Sequence, residues 1–362
     1  MIARVRPVLL SAFAAALMWA SSAKADEPFY KNKRLTILVN YAAGGPSDIE
    51  GRLLARHVQK YLEGTPTIIV QNIDGAGGMV GNNYLAEIGP KDGTMMGYFT
   101  GAAWNAASEP EKFHVDFKTY EFVAYQPGTS IYFARTDIPG LKQPTDIVKA
   151  QGLISGGLSA NNAKDLLLRL GLDILGANYK YVTGYQSNNT ARLAFQRGEI
   201  NYFSESPPGY RSVVEPQLVD KGEAMGLYYD LTVDDAGNFT VPKQVADMTL
   251  PPFHEFYKRV HDGAMPSGKL WDTYRAILTV NASLQRLLVM APRAPQAAID
   301  TVRAALLKLN DDKDYADEAV KQIGYVPEYV AGPDTNRHVR EALNTTPEMR
   351  SFMQDYIKKA GK

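Results

Sequence analysis

Short apolar runs alternate with segments of helical periodicity along the first third of the chain. Residues 35–41 form an apolar run of the length of a buried strand. Apolar residues then recur at helical spacing at Ile49, Leu53, Leu54, Val58, Tyr61 and Leu62. Residues 67–70 and 94–100 predict two further strands, with a helix that carries Leu85 and Ile88 between them. Strands that alternate with helices predict a parallel sheet in an α/β fold.

A second α/β unit is expected to begin near Pro127 and Gly128, where the strand-like segments SIYFAR, GLISGG, YKYVTGY and EINYFS accompany a helical segment, AKDLLLRLG. Residues 230–248 are polar and rich in turn residues, which predicts a surface excursion. The C-terminal helices are expected to pack back on the first unit. The pattern therefore predicts two domains joined by two crossings around a central cleft. Domain I comprises residues 26–128 with 269–362, and domain II comprises residues 129–268.

Glycine-rich loops follow the first two predicted strands, at Gly44 and Gly45 and at residues 75–78. Ligands of open α/β sheets bind beyond the carboxyl ends of the strands, so both loops are expected at one edge. Glycine admits a ligand close to the backbone, and a helix start offers free N–H groups. Ser47 and Glu50 have the spacing of a capping box. The loops favour a carboxylate or phosphate site, although a ligand-free tight turn is the alternative.

Motifs for other chemistries are incomplete. The dinucleotide motif that begins at Gly75 would need glycine where Val80 stands, and Lys269 is followed by Leu270 instead of the Ser or Thr of a phosphate loop. The chain has no cysteine, no G-x-S-x-G elbow and no histidines at metal-ligand spacing. We therefore expect no catalytic residue, no metal and no cofactor.

The N-terminus has the pattern of a secretory signal. Arg4 and Arg6 precede an apolar run, residues 8–20, that is too short to span a bilayer. Ala23-Lys24-Ala25 predicts cleavage after residue 25, so that residues 1–25 form a signal peptide; an uncleaved anchor is the alternative. Without this segment the formal net charge falls from zero to −3. A mildly acidic chain has no electrostatic footprint for nucleic acid.

Three ordered motifs carry a family resemblance. They are A-G-G-x-x-D with a following arginine (Ala43, Gly44, Gly45, Asp48, Arg52), N-x-x-G-A-G-G (Asn72, Gly75, Ala76, Gly77, Gly78), and P-x-D-G-T (Pro90, Asp92, Gly93, Thr94). In these motifs the chain resembles the substrate-binding proteins of tripartite tricarboxylate transporters, periplasmic receptors also called Bordetella uptake gene proteins. Weaker colinear similarity covers nearly all of the mature chain. Two features depart from the family pattern: Thr183-Gly184-Tyr185 replaces the usual Pro-Tyr-Lys, and residues 230–248 resemble an insertion.

The resemblance implies a two-lobed periplasmic binding protein fold (type II) that captures a small carboxylate in the interdomain cleft. It implies a periplasmic receptor without enzymatic activity that delivers its ligand to the permease subunits of such a transporter, and we expect a monomer. A ligand-presenting sensor for a receptor kinase is the alternative, followed by a secreted hydrolase. The resemblance places the ligand-binding residues at Tyr41, Ala43, Gly44, Gly45, Ser47, Asp48, Gly75, Ala76, Gly77, Gly78, Trp104, Ser159, Tyr185 and Ser204.

Asp48, Trp104 and Arg52 each have more than one possible role. Asp48 either orients its loop, binds water, or simply favours the positive end of the helix. Trp104 either flanks a ligand ring or belongs to the core. Residues 41–50 and 71–83 contain no Lys or Arg, so backbone N–H groups and water are expected to hold the carboxylate. Arg52, the nearest cation, either reaches in to the carboxylate or is a solvated helix residue, and we expect the second role.

Overall fold

The computed structural model describes residues 27–233 and 238–359, so the predicted signal peptide and its cleavage site lie outside the described residues. The strands are β1 Arg34–Val39, β2 Thr67–Asn72, β3 Met95–Thr100, β4 Glu121–Gln126, β5 Ile131–Arg135, β6 Leu153–Gly156, β7 Tyr179–Val182, β8 Tyr202–Glu205, β9 Ala224–Tyr229, β10 Thr232–Val233, β11 Phe239–Thr240 and β12 Arg286–Met290. The helices are α1 Pro46–Val58, α2 Met79–Glu87, α3 Ala102–Ser108, α4 Ala163–Leu175, α5 Asn188–Gln196, α6 Pro207–Gly209, α7 Phe253–Val260, α8 Lys269–Ile277, α9 Gln296–Asn310, α10 Lys313–Ile323, α11 Thr335–Ala342 and α12 Pro347–Lys359.

Two five-stranded sheets define two lobes. Lobe I contains the sheet of order β2-β1-β3-β12-β4, and lobe II contains the sheet of order β7-β6-β8-β5-β9. In lobe I, β1 is parallel to β2 and β3, whereas β12 is antiparallel to β3 and β4. In lobe II, β6 is parallel to β7 and β8, whereas β5 is antiparallel to β8 and β9. The predicted two-lobed α/β architecture is confirmed.

The chain passes between the lobes from β4 to β5 and again from β9 to β12. The two crossings lie side by side, since the Gly128 N–H donates to the Ala282 carbonyl over 2.8 Å. The predicted domain boundaries stay a prediction. Helix α8 begins at residue 269, but its Trp271 and Tyr274 are buried in the core of lobe II. Met353 of α12 is buried in the same core, so two helices of the C-terminal part pack on lobe II.

Burial explains why the apolar pattern predicted these strands and helices. The apolar side chains of β1 are buried, and Leu53, Leu54 and Val58 of α1 pack on the same core. In lobe II, α4 starts at an N-cap whose side chain, Asn162, accepts the Lys164 N–H, and it ends at Gly176 in the left-handed conformation. None of the helices in the described ranges combines the length and the apolar character that a membrane crossing requires.

Candidate functional site

The first glycine loop joins the carboxyl end of β1 to α1. Gly44 has a φ of +78°, which only glycine adopts readily, and Gly45 is the N-cap of α1. The predicted capping box is wrong, because the helix already starts at Pro46 and Ser47 therefore lies inside it. The Ser47 hydroxyl instead bonds to the Thr100 hydroxyl over 2.7 Å.

The start of α1 offers backbone donors at this edge. The first bond of the helix runs from the Ile49 N–H to the Gly45 carbonyl over 3.0 Å. The N–H groups of Ser47 and Asp48 come before it and so have no acceptor within the helix, and Pro46 has no N–H at all. Residues 42–44 are exposed. The loop can therefore present N–H groups and the positive end of a helix dipole to an anion.

Asp48 holds this loop in shape. Its buried carboxylate accepts the Gly44 N–H over 2.8 Å, Arg52 Nε over 2.9 Å and Asn72 Nδ2 over 3.0 Å. Burial raises the pKa of Asp48, but the hydrogen bonds from Arg52, Gly44 and Asn72 outweigh it and leave that pKa below its ordinary value. Of the three roles considered for Asp48, this geometry supports the orientation of the loop.

Arg52 donates hydrogen bonds to two residues of the same network, Asp48 and Asn72. Besides its bond to Asp48, it donates to Asn72 Oδ1 over 3.2 Å. Arg52 is exposed on α1, as expected for a solvated helix residue, and its Nε–H also donates to a carboxylate one helical turn earlier. The charge of Asp48 is thereby balanced inside the protein.

Four consecutive residues of the second glycine loop have positive φ: Gly75 at 123°, Ala76 at 47°, Gly77 at 65° and Gly78 at 92°. A Cβ on Gly78 would lie 2.4 Å from Asn40 Nδ2, so a larger residue has no room there. The Gly77 carbonyl accepts the Tyr41 hydroxyl over 3.3 Å and Asn105 Nδ2 over 3.0 Å. These bonds join the second loop to the first loop and to α3.

Asn40 is a structural residue of this edge that the sequence reasoning missed. It is fully buried directly after β1. Its Oδ1 accepts the Thr100 N–H over 2.9 Å, and its Nδ2 donates to the Thr100 carbonyl over 3.0 Å and to Asn82 Oδ1 over 3.2 Å. The signal in the sequence was a polar residue at the end of an apolar run. Asn40 fixes the carboxyl ends of β1 and β3 against each other.

The three ligand-binding residues predicted in lobe II are Ser159, Tyr185 and Ser204, and they differ in burial and in hydrogen-bond partners. The Ser159 N–H donates to Asp165 Oδ2 over 2.7 Å and its hydroxyl bonds to Asn161, so both groups already have partners. Ser204 is fully buried, and its Oγ has no hydrogen-bond partner within the described part of the chain. These two residues remain predictions as ligand contacts.

Tyr185 is half-buried in the loop between β7 and α5. Burial raises the pKa of its hydroxyl, and the nearby Glu199 raises it further. Glu199 follows the C-terminal end of α5, whereas the carboxyl ends of the parallel strands lie at the start of that helix. Tyr185 also remains a prediction.

Charged side chains lie at the strand edge of lobe II, a feature that the sequence reasoning did not find. Lys164 Nζ donates to Asn188 Oδ1 over 2.9 Å and to the Ser204 carbonyl over 3.0 Å. Glu205 accepts Asn188 Nδ2 over 2.8 Å and Arg192 over 2.5 Å. We call Lys164, Asn188, Arg192 and Glu205 the lobe II cluster. In the sequence nothing distinguishes Lys164, Asn188 and Arg192 from the polar face of ordinary helices, and Glu205 is the last residue of β8.

Trp104 joins the two lobes. It is buried, and its indole Nε1–H donates to the Asn161 carbonyl of lobe II over 2.9 Å. Its ring packs with the core of lobe II, although α3 belongs to lobe I. Of the two roles considered for Trp104, the burial supports the core role. Within residues 27–233 and 238–359, no group of three His, Asp or Glu residues could hold a metal ion.

Comparisons with known proteins agree with this architecture. No protein-family model matches the sequence. A UPF0065 protein from the TAR-I ttuE-ttuC' intergenic region of Agrobacterium vitis is 30% identical over 171 residues, which are 46% of this chain and 48% of that protein. The chain thus matches about half of the length of this curated relative.

The solved structures resemble this chain over nearly its whole length. The periplasmic binding protein BugD has a TM-score of 0.62 at 19% identity, over 92% of this chain and 99% of its own. Rhodopseudomonas palustris Rpa4515 with adipate has 0.61 at 15% identity, over 91% and 97%. R. palustris MatC with bound malate has 0.57 at 18% identity, over 90% and 97%. The resemblance to periplasmic receptors of this type is confirmed for the fold.

Proposed function

We propose that this chain is a periplasmic solute-binding protein that captures a small carboxylate between its lobes and delivers it to the permease subunits of a tripartite tricarboxylate-type transporter. The observation that carries the proposal is the edge of lobe I, where exposed residues 42–44 precede the start of α1 and the Tyr41 hydroxyl joins this loop to Gly77 of the second glycine loop. Two proteins of the same fold have malate and adipate bound. We infer a binding role without catalysis.

The chemistry of the loops suits an anion. The N–H groups of Ser47 and Asp48 and the dipole of α1 favour negative charge at this end of the helix. The carboxylate of Asp48 would repel a second anion, but Arg52 balances its charge and three hydrogen bonds occupy its oxygens. A ligand carboxylate is therefore held by backbone donors and water, without a direct ion pair in lobe I.

A ligand-presenting sensor would use the same pocket as a transport receptor. The genes adjacent to this one separate these roles, since they would encode either two membrane subunits or a receptor kinase. We favour transport because the motifs at Gly44 and Gly78 resemble those of transport receptors. The hydrolase alternative has no support from the residues at the strand edges.

The proposed location requires export. We expect cleavage after Ala25, so that the mature protein begins at Asp26. N-terminal sequencing of protein from the periplasmic fraction tests this expectation. Recovery of the full-length chain from the cytoplasm alone would contradict it.

Two substitutions test the backbone site by calorimetry with malate and adipate. A Cβ at Gly45 would meet only the Ala42 carbonyl, at 3.4 Å, so the fold should accept Gly45→Val. The added side chain stands where the ligand approaches the backbone, and we expect binding to be lost. Arg52→Gln should weaken binding by less than tenfold, about 1.4 kcal/mol. Normal binding by Gly45→Val, together with loss of binding by Arg52→Gln, would refute the backbone site.

A further inference from the structure

We propose that a cavity between α3, the segment before α4, and α12 is a second binding site, separate from the cleft. It takes a small zwitterion whose ammonium and carboxylate stand at opposite ends of an aliphatic chain, the class of the ω-amino acids. The inference does not depend on the proposed function, because none of the residues that line the cavity belongs to the glycine loops or to the lobe II cluster.

The cavity lies where both lobes meet the C-terminal helix. Lobe I contributes Ser108, Glu109 and Glu111, lobe II contributes Asn161, and five residues of α12 complete the lining. Its volume is about 250 Å³. A water molecule occupies about 30 Å³ in the liquid, so the cavity is large enough for an organic molecule of several heavy atoms.

One face of α12 forms a wall of the cavity. Arg350, Met353, Gln354, Ile357 and Lys358 follow one another at the spacing of a single helix face. The apolar side chains of Met353 and Ile357 stand between the two cations along this face. The wall therefore suits a molecule that is apolar in its middle and charged at its end.

The helix that carries this wall is anchored to both lobes. Met353 is buried in the core of lobe II, and the Tyr356 hydroxyl bonds to Asp173 of α4. Just before α12, the Thr345 hydroxyl donates to the Ala107 carbonyl of α3 over 3.1 Å. The cavity thus lies between fixed elements and is preformed, as sites for small molecules usually are.

The cavity contains one unpaired charge of each sign. Arg350 is half-buried, and within residues 27–233 and 238–359 its guanidinium has neither a hydrogen bond nor an ion pair. The same is true of the exposed carboxylate of Glu111 in that part of the chain. The two groups line one space without pairing with each other, although they come from different elements. A ligand that carries both charges would pair with each of them.

The other two charged groups of the lining have partners in their own segments. Glu109 pairs with Lys112 over 2.6 Å, and Lys358 pairs with Asp355 of the same helix over 3.8 Å. These pairs are satisfied without a ligand. The guanidinium of Arg350 and the carboxylate of Glu111 therefore determine which charges the cavity takes.

The chemistry of these groups determines the class of ligand. A guanidinium binds a carboxylate through two parallel hydrogen bonds, and a carboxylate binds an ammonium. Methylene groups between the two ends would bury apolar surface against Met353 and Ile357. An α-amino acid has both charges next to one carbon atom, so it suits charges on separate elements less well. The alternative is that Arg350 and Glu111 are ordinary surface charges beside a packing gap.

Calorimetry with four matched compounds separates these interpretations: 6-aminohexanoate, its isomer norleucine, hexanoate, which lacks the ammonium, and hexylamine, which lacks the carboxylate. We expect 6-aminohexanoate to bind at least tenfold more tightly than each of the other three. Arg350→Gln and Glu111→Gln should each weaken its binding at least tenfold. Saturating malate should change its Kd less than threefold, because malate would occupy the cleft.

The matched control is Lys359→Gln, which removes an exposed cation from α12 that does not line the cavity. It should bind 6-aminohexanoate as the wild-type protein does. Equal binding of 6-aminohexanoate and norleucine, displacement by malate, or wild-type affinity in Glu111→Gln overturns the second site. Because Glu111 is exposed, its substitution decides the matter even if Arg350→Gln does not fold. Binding of malate or adipate without any binding of 6-aminohexanoate overturns this site and leaves the proposed function standing, whereas the reverse result contradicts the proposed function alone.

Discussion

The two lobes meet the cleft with different chemistry. Lobe I presents backbone, and its acid, Asp48, and its cation, Arg52, satisfy each other within the loop. Lobe II presents charged side chains, where Lys164 donates to the uncharged Asn188 Oδ1 and Ser204 carbonyl and Arg192 pairs with Glu205. Most substitutions leave a backbone N–H donor in place and only proline removes it, whereas any substitution of Lys164 replaces its side-chain donor. Under the proposed function, lobe I would recognise the carboxylate that all ligands share, and lobe II would determine which ligand is selected.

The interiors of the two lobes also differ, in the partners that each provides for a buried acid. Lobe I buries a compensated pair, in which Glu50 accepts Arg286 Nη2 over 2.9 Å and the Tyr98 hydroxyl over 2.8 Å. Lobe II buries Asp230, whose carboxylate accepts the hydroxyl of Tyr132 over 2.8 Å and the hydroxyl of Tyr274. Glu50 pairs with the cation Arg286, whereas burial raises the pKa of Asp230 and so favours its neutral form. Substitutions at these two sites and at the contact between the lobes test the comparison.

The largest effect is expected at the buried pair of lobe I. Arg286→Met leaves the carboxyl group of Glu50 buried without its cation, and should lower the free energy of unfolding by about 3–5 kcal/mol. Denaturant unfolding measures the change. The double variant Glu50→Gln/Arg286→Met should recover part of the loss, because no charge is then buried.

The control for this substitution is Arg337→Gln, which breaks an exposed pair with Asp334 and Glu341. It should change stability too little to measure. A loss in Arg286→Met no larger than that of the control would show that the pair does not support lobe I.

The buried acid of lobe II predicts a dependence of stability on pH. Burial raises the pKa of Asp230 from 3.8 to about 7, although the hydrogen bonds from Tyr274 and Tyr132 lower it. The folded protein therefore binds an extra proton between about pH 4 and pH 7, and this contribution to stability is lost as the pH rises through that window. Relative to Asp230→Asn, the wild-type protein should lose up to about 1.4 kcal/mol per pH unit.

Thermal unfolding of both proteins across this pH range measures the difference. Asp137→Asn is the control in the same lobe, because Arg135 lowers the pKa of Asp137 and removes any such fall with pH. A pH-independent difference between wild type and Asp230→Asn would mean that the acid stays charged.

The smallest effect is expected where the lobes meet. Trp104→Phe keeps an aromatic ring but removes the hydrogen bond to the Asn161 carbonyl, which is worth about 1 kcal/mol. If closure brings the lobes together over the ligand, the variant should bind a dicarboxylate less tightly by under tenfold and compact less in small-angle scattering. Trp271→Phe, inside lobe II, should leave compaction unchanged. A radius of gyration that no saturating ligand alters, in wild type or variant, would contradict closure.

The architecture could be predicted because it depends on local patterns. The alternation of strand-like and helical segments predicted an α/β fold, and the glycines after β1 and β2 predicted loops at one edge. Strand β12 pairs with β3 and β4 in lobe I, whereas Met353 of α12 is buried in the core of lobe II. Each of these inferences needs only residues that are near each other in the chain, or a rule about how parallel sheets connect.

The sequence by itself therefore determined the fold class, the two lobes and the edge on which a ligand site can form. The tertiary structure decided what individual polar residues do there: Ser47 bonds to Thr100, Asn188 orients Lys164, and Trp104 reaches the core of the other lobe. The physical reason is distance along the chain. Hydrophobic periodicity is read within one helix or strand, whereas the partner of a polar side chain is chosen by packing between elements, as where Glu50 meets Arg286 on a strand far away in the sequence.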